Sequence, residues 1–429
     1  MNRRTFLRTA GVVGIAGASG CSLPFDSVSL PNANGGNGSN GSEETPTPEP
    51  TPTPEPPETR SGAALTGVYA GGDGLVANLN SYSDWLGQKP AVALVFVDAF
   101  GPASAKRGFV EGILTNIWQA GHVPLISWQP FERKKNQTSE TIERAIASGE
   151  YDDQLDEWAS LLENWARPRG GETRGRRFYF RPAHEMNGNW FPWSAVDSTR
   201  IEADATPQSG NPDGEDPTAG TPADYVKMWR RLHEAFSTTA LDESDIQWMW
   251  SPNADEIGGI RTERYYPGDE YVDWVGLDGF NFGEGQKYQT GRSNWRSPEA
   301  VFDSMLTRIR ELTDKPVALA EFASSSAMYT GSEIEYRPQK KAQWIRDVFA
   351  YVAENDIKMT CWFNVDKTGQ DESDWAVFDG ARGTSQVTID GTQYPAYGSY
   401  KQTVSGGKYL AALPDYPPLL TDAEFAGEF

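Results

Sequence analysis

Apolar residues in this chain fall into two rhythms. Short runs rich in β-branched and aromatic residues recur at long intervals. They predict strands at Leu65–Ala70, Ala91–Asp98, Val123–Trp128, Phe178–Pro182, Ile246–Ser251, Trp274–Asp278, Val317–Phe322 and Ile357–Phe363. Between most of them the apolar spacing changes to three and four, predicting helices at Ser104–Ala120, Asp152–Ala166, Ala223–Leu241, Pro298–Leu312 and Pro338–Glu354. In the third of these, Tyr225, Trp229, Leu232 and Phe236 mark one buried face. Strands alternating with helices argue for a parallel sheet. Eight of them, with no phosphate-binding glycine loop, favour an α/β fold of the (β/α)8 TIM-barrel type, with a doubly wound sheet as the competing arrangement.

The first sixty residues lack this periodicity. Asn2–Arg8 is basic and Ala10–Gly20 is apolar and small, too short to span a bilayer, which takes ~20 residues. This layout reads as an export signal. Arg3-Arg4 before Phe6-Leu7 resembles a twin-arginine signal, and Ala18-Ser19-Gly20-Cys21 resembles a lipobox with Cys21 as the lipidated residue; a plain secretory signal is the alternative. Asn/Gly/Ser and then Pro/Thr/Glu repeats fill residues 22–60, a composition that cannot pack a core and favours an extended spacer. The expected organisation is a signal at 1–21, a disordered linker at 22–60, and a catalytic domain at 61–429, exported and held at the cell surface by its lipid.

Composition narrows the chemistry. Acidic residues outnumber basic ones 60 to 38, a formal charge of −22, which argues against nucleic acid or an anionic membrane surface as a partner. Arginine outnumbers lysine, and such an acidic surface suits strong brine; an ordinary acidic secreted protein is the alternative, and stability in dilute buffer distinguishes them. The three histidines are His122, His184 and His233; His233 falls within a helical pattern, so a three-histidine metal site is not expected. With Cys21 assigned to lipid, Cys361 is expected as a free thiol in the core. The insertion Val196–Pro222 carries Asn211, Asp213, Glu215 and Asp216 but not the twelve-residue pattern of a calcium loop, and reads as a solvated acidic loop. No cofactor and no metal is expected.

A barrel builds its chemistry at the C-terminal ends of its strands. Here these ends read Ser127-Trp128-Gln129, RPAHEMNGNWFPW (Arg181–Trp193), MWSPN (Met249–Asn253), LDGFNF (Leu277–Phe282), ALAEFASS (Ala318–Ser325) and CWFNVD (Cys361–Asp366). Two carboxylates stand out. Glu185 lies among His184, Asn187 and Trp190. Glu321 shares one face of its strand with Val317 and Leu319, so it is the uppermost inward residue if that face lines the barrel. Taken alone, Glu321 reads rather as a buried partner of Arg181; a second glutamate at another strand end, with tryptophans around it, reverses that reading. Glycoside cleavage requires such a pair, one to protonate the leaving oxygen and one to attack or activate water. Trp128, Trp193 and Trp250 are candidates for sugar platforms or for rim packing. Asn253, Asp278, Asn281 and Asp366 are candidates for hydroxyl ligands or for turn caps. His122 reads as structural. The motifs GxSxG, HExxH and GxxxxGK[ST] are missing from the domain.

From RPAHEMNGNWFPW onward the chain resembles glycoside hydrolase family 26, the β-mannanase and lichenase family of 4/7 retaining barrels. WMWSPN, YYPGDEYVDWVGLDGFNF (Tyr265–Phe282), PVALAEFASS and CWFNVD fit it in the same order, so the likeness covers nearly all of residues 65–405. The resemblance implies Glu185 as general acid/base, Glu321 as nucleophile, His184 and Trp190 beside the acid, and Trp362 as the floor of the subsite at the scissile bond. One departure is Phe280, where the family often carries a tyrosine that hydrogen-bonds the nucleophile; Tyr329 is a candidate substitute. The implied substrate is a β-1,4-mannan cut internally, with mixed-linkage β-glucan or β-1,3-xylan as alternatives. A non-catalytic glycan-binding barrel is the rival function. A polysaccharide is the expected partner, the membrane is met only through the lipid anchor, and the protein is expected to be monomeric.

Overall fold

The computed structural model describes residues 57–132, 137–168, 175–196, 210–284, 294–329, 334–370 and 373–429. The signal, Cys21 and nearly all of the linker lie outside these residues. Eight parallel strands form a closed barrel: β1 Ala64–Tyr69, β2 Val92–Asp98, β3 Val123–Gln129, β4 Phe178–Pro182, β5 Ile246–Trp250, β6 Trp274–Asn281, β7 Val317–Ser324 and β8 Met359–Phe363. Each pairs with its sequence neighbours, and β8 pairs with β1 from Leu65↔Met359 to Tyr69↔Phe363. That last ladder closes the cylinder and excludes the doubly wound alternative.

The strands are buried nearly throughout because helices cover one face and barrel side chains fill the other. The outer layer includes α1 Leu75–Leu86, α2 (Ala103–Arg107, running through a π-helical stretch Gly108–Leu114 into Thr115–Ala120), α3 Ile142–Ser148, α4 Asp152–Ala166, α5 Pro222–Ser237, α6 Pro298–Leu312 and α7 Pro338–Glu354. The helix α5 starts where expected because Thr221 and Asp224 form a capping box with Pro222 in the first turn. It stops at Ser237, short of the expected Leu241, where Thr238 and Thr239 turn their hydroxyls onto the carbonyls of Ala235 and Phe236. Between β5 and β6 the connection holds only 3-10 turns, Thr262–Tyr265 and Asp269–Tyr271.

After β8 the chain forms α8 Gly398–Val404, a short strand Tyr409–Leu410 paired with the start of β1, and α9 Asp422–Ala426. The last segment seals the N-terminal end of the barrel. Phe425 packs on Tyr179 at 4.7 Å, Glu424 accepts from Arg60 Nε at 2.7 Å, and Arg177 reaches Asp422 at 2.6 Å. The mouth is therefore at the opposite end, where the loops after the strands gather.

Strand parity decides which side chains enter that mouth. Ser127, Arg181, Asp278 and Glu321 point inward and touch one another. Trp128 packs on Phe100 and Phe180, Trp250 on Tyr266, and Trp362 on Phe322, Trp344 of α7 and Tyr400 of α8. These three indoles are fully buried in the layer between strands and helices. Of the two roles open to Trp128 and Trp250 the structure gives packing, and Trp362 as a subsite floor is corrected: adjacent residues on a strand face opposite sides. Cys361 is a free, fully buried thiol facing Gly67, where a Cβ would come within 2.4 Å of its sulfur.

Candidate active site

The acid-bearing loop leaves β4 at Pro182 and turns at once. Ala183 and Glu185 take left-handed backbone conformations, φ 44° and 54°, which non-glycine residues rarely adopt. The turn is held by Ala183 N donating to Trp128 O at 2.9 Å, Glu185 N to Ser251 O at 2.7 Å, and Tyr225 Oη to Ala183 O at 3.2 Å. Asn187 then joins this loop to the one after β5: its Nδ2 donates to Asn253 O at 2.8 Å and its Oδ1 accepts from Asn253 N at 2.8 Å. Gly188 leaves room for the Trp190 indole, which a Cβ would meet at 2.5 Å.

These turns bring two neutral donors to the Glu185 carboxylate. Asn253 Nδ2 reaches Oε1 and Trp190 Nε1 reaches Oε2, each at 2.6 Å. Burial pushes the Glu185 pKa up to about 7; the charge of Glu321 adds to this, and the two donors hold it back.

Glu321 has the opposite surroundings. Arg181, fully buried, gives Nη2 to Glu321 Oε1, Nη1 to Asp278 Oδ1 at 3.2 Å and Nε to Ser127 Oγ at 3.1 Å. Ser127 Oγ lies 3.1 Å from His184 Nδ1, and His184 Nε2 is 3.8 Å from Glu321 Oε1. A bare nitrogen lone pair facing a carboxylate would be repelled, so the proton belongs on Nε2 and Ser127 donates to Nδ1. Burial raises the Glu321 pKa, while Arg181 and Lys367 both pull it down. Among the described residues no hydrogen bond reaches Glu321 Oε2, the oxygen left for attack. Arg181 donates to Glu321 and reaches Glu185 only through space, so its charge and that of Lys367 favour the ionised form of Glu321 more than that of Glu185.

The other candidates divide. Trp193 is buried under the loop, stacked on Phe191 at 4.4 Å with Nε1 on His184 O at 2.8 Å, so it orients His184 instead of meeting solvent. Asn281 is a turn cap: Nδ2 donates to Ser324 Oγ at 3.0 Å and Oδ1 accepts from Arg296 N at 3.0 Å. Asp366 caps its own loop through Thr368 N and Ala381 N at 2.9 and 2.7 Å. His122 is buried, with Nδ1 2.7 Å from Pro90 O, and burial lowers its pKa to about 4. Phe280 faces the mouth in a cluster with Phe282, Phe363 and Trp375 at 5.9, 5.9 and 5.2 Å. The Tyr329 side chain lies outside the described residues. In the acidic insertion, Asn211 Nδ2 staples the Asp216 and Ala219 carbonyls at 2.7 and 3.0 Å; among the described residues no three His, Cys, Asp or Glu side chains are grouped to hold a metal.

Three residues escaped the sequence reading. Tyr69 ends β1, packs on Phe96 and Phe363 at 5.0 Å each, and is held un-ionised by burial and by the Glu321 charge. Lys367, with its ammonium 5.2 Å from the Phe363 ring, lies in the loop after β8 and bears on Glu321. Both line a cavity of about 360 Å³. Trp375 lies beyond them in the same loop, against Phe280. Tyr69 obeys the strand-end rule that exposed Glu321; Lys367 directly follows CWFNVD.

A model of glycosyl hydrolase family 26 matches residues 111–357. The chain belongs to glycosyl hydrolase family 26. The family match spans β3 to β7 and with them both glutamates. Among curated relatives, Endoglucanase H of Acetivibrio thermocellus is 24% identical over 314 residues, covering 72% of this chain and 28% of that protein. Mannan endo-1,4-beta-mannosidase A and B of Caldalkalibacillus mannanilyticus is 26% identical over 262 residues, covering 57% of this chain and 42% of that protein. The chain thus matches less than half the length of either. The solved Bacillus subtilis mannanase BCman shares the fold at 17% identity and a TM-score of 0.52, over 82% of this chain and 88% of that one.

Proposed function

We propose that this family 26 barrel is a retaining endo-β-glycan hydrolase acting on β-1,4-mannan, with Glu185 as acid/base and Glu321 as nucleophile. The observation that carries the reading is the asymmetry of the pair: two buried carboxyls, one raised to about 7 by burial and by the charge of the other, the second also raised by burial but drawn back down by Arg181 and Lys367. This is the division of labour that double displacement needs. Glu321 Oε2 bonds to the anomeric carbon as the glycosidic C–O bond breaks, and the Glu185 proton passes to the leaving oxygen. Glu185, now ionised, takes a proton from water, whose oxygen displaces Glu321 and restores both carboxyls. His184 and Arg181 fix Glu321 Oε1 during both steps.

A panel of mannan, glucomannan, lichenan and xylan tests the substrate. Reducing sugar should appear fastest on mannan and disappear in Glu185→Ala and Glu321→Ala; no hydrolysis of any of the four would leave the glycan-binding reading in its place. Mixed-linkage β-glucan is the second substrate reading, favoured by the endoglucanase relative, which covers the larger share of this chain. Export by a twin-arginine signal, anchorage through Cys21 and a monomeric state complete the proposal, on the strength of the N-terminal motifs alone.

A further inference from the structure

Behind the barrel wall, on the far side of the loop after β8, lies a fully buried lysine. Lys341 belongs to the first turn of α7, and its ammonium is 4.8 Å from the Tyr397 ring. It donates to the carbonyls of Asp374 and Ala376, the second at 2.8 Å, so it grips the backbone on both sides of Trp375. The Asp374 carboxylate is spent in the opposite direction. It accepts from Ser325 Oγ at 3.0 Å, Ser326 N at 2.8 Å and Ser326 Oγ at 2.5 Å, directly after β7. All four side chains are buried. A charge removed from water at this cost needs partners that are lost together if any one moves.

The gripped segment adjoins Lys367, the second cation that bears on Glu321 after Arg181. Lys367 N donates to Ser373 O at 3.0 Å, and Asp366 bridges Asp374, so Lys367 is tied directly to the gripped segment. Asn364 closes its base through Val377 N and the Phe378 carbonyl, at 2.8 and 3.0 Å. Trp375 presses on Phe280 and Phe282 at 5.2 and 5.1 Å, and its carbonyl accepts from Trp362 Nε1 at 3.0 Å.

We propose that Lys341 is a positioning residue for the nucleophile: by clamping the Asp374–Ala376 backbone to α7, while the Asp374 carboxylate ties the same segment to the end of β7, it holds Lys367 beside Glu321 and Trp375 against Phe280. This rests on the reading of Glu321 as nucleophile. Lys341→Met keeps the bulk and removes the clamp; Asp374→Asn weakens its other half and serves if the first variant folds poorly. With Lys367 displaced, Glu321 ionises at higher pH, so the acid limb of kcat/KM on mannan should rise by about half a pH unit. A lysine that only stabilises the fold would lower Tm and leave that limb in place, which overturns the proposal. The same displacement is read without turnover from the Glu321 carboxyl carbon in 13C-glutamate-labelled protein, assigned with Glu321→Gln. An inactive wild-type protein whose Glu321 resonance still shifts in Lys341→Met faults the assigned activity and not the clamp; an unmoved resonance faults the clamp.

Discussion

Replacing Trp190 by phenylalanine removes one of the two donors on Glu185 while keeping an aromatic ring above the turn. The lost hydrogen bond, 2.6 Å from Nε1 to Oε2, stabilises only the ionised carboxylate. A hydrogen bond to a charged group is worth roughly 1.5–3 kcal/mol, and 1.36 kcal/mol corresponds to one pKa unit. Water entering the vacated space recovers part of it, which leaves a rise of about one unit. Glu185, now at about 7, would then titrate near 8. Since Glu185 must be protonated to start the reaction, activity falls as pH rises through its pKa. The alkaline limb of kcat/KM, which reports the free enzyme, should therefore move upward by about one unit. Loss of ring contact with a sugar would change KM but not the position of this limb. An alkaline limb that stays in place or moves down refutes the argument, because the carboxylate would not be leaning on that indole.

Three further outcomes follow from the same geometry. Because its folded pKa is raised, Glu185 favours the fold below about pH 4.5 and costs stability as pH rises through 7. Glu185→Gln should thus raise the free energy of unfolding at pH 8 but not at pH 4, by up to roughly 3 kcal/mol, read from thermal melts at the two pH values. Lys367→Met removes a cation from the nucleophile and should shift the acid limb of kcat/KM upward, by about half a unit or more, with the alkaline limb unchanged. Trp128→Phe leaves a gap between barrel and helices and should cost about 1–3 kcal/mol in denaturant melts while KM stays within about twofold of wild type.

The barrel was legible because each strand is buried on both faces and so reads as a short unbroken apolar run between polar loops. Seven of the eight strands lie within two residues of their expected ends, β6 runs three residues further to Asn281, and the closing β8–β1 ladder is the one feature that periodicity alone could not supply. At the mouth, position along a strand was enough to single out Glu185 and Glu321 and to offer Arg181 and Asn253, whereas the roles of His184 and Trp190 came from the family resemblance; strand position needs no knowledge of which way the chain is turned. It was not enough for the tryptophans. Trp128 follows the inward Ser127 and Trp362 follows the inward Cys361, so the two-residue rule applied to Glu321 sends both outward. Applying it there needs the facing of one neighbour to be known, and irregular pairing near Thr360/Trp362 and Gly276/Asp278 blurs that count. Tyr69 and Lys367 were missed for another reason: their importance comes from Glu321, which is far from each in sequence and near only once the cylinder closes.

The most direct test is to trap the intermediate. An activated 2-deoxy-2-fluoro-β-mannoside slows the second displacement, so the sugar should remain covalently attached to the protein. Peptide mass spectrometry should find one adduct, on the peptide containing Glu321, and none in Glu321→Ala. An enzyme that turns over mannan yet gains no adduct, or carries it on another carboxylate, contradicts the assignment of Glu321 as nucleophile and Glu185 as its acid partner.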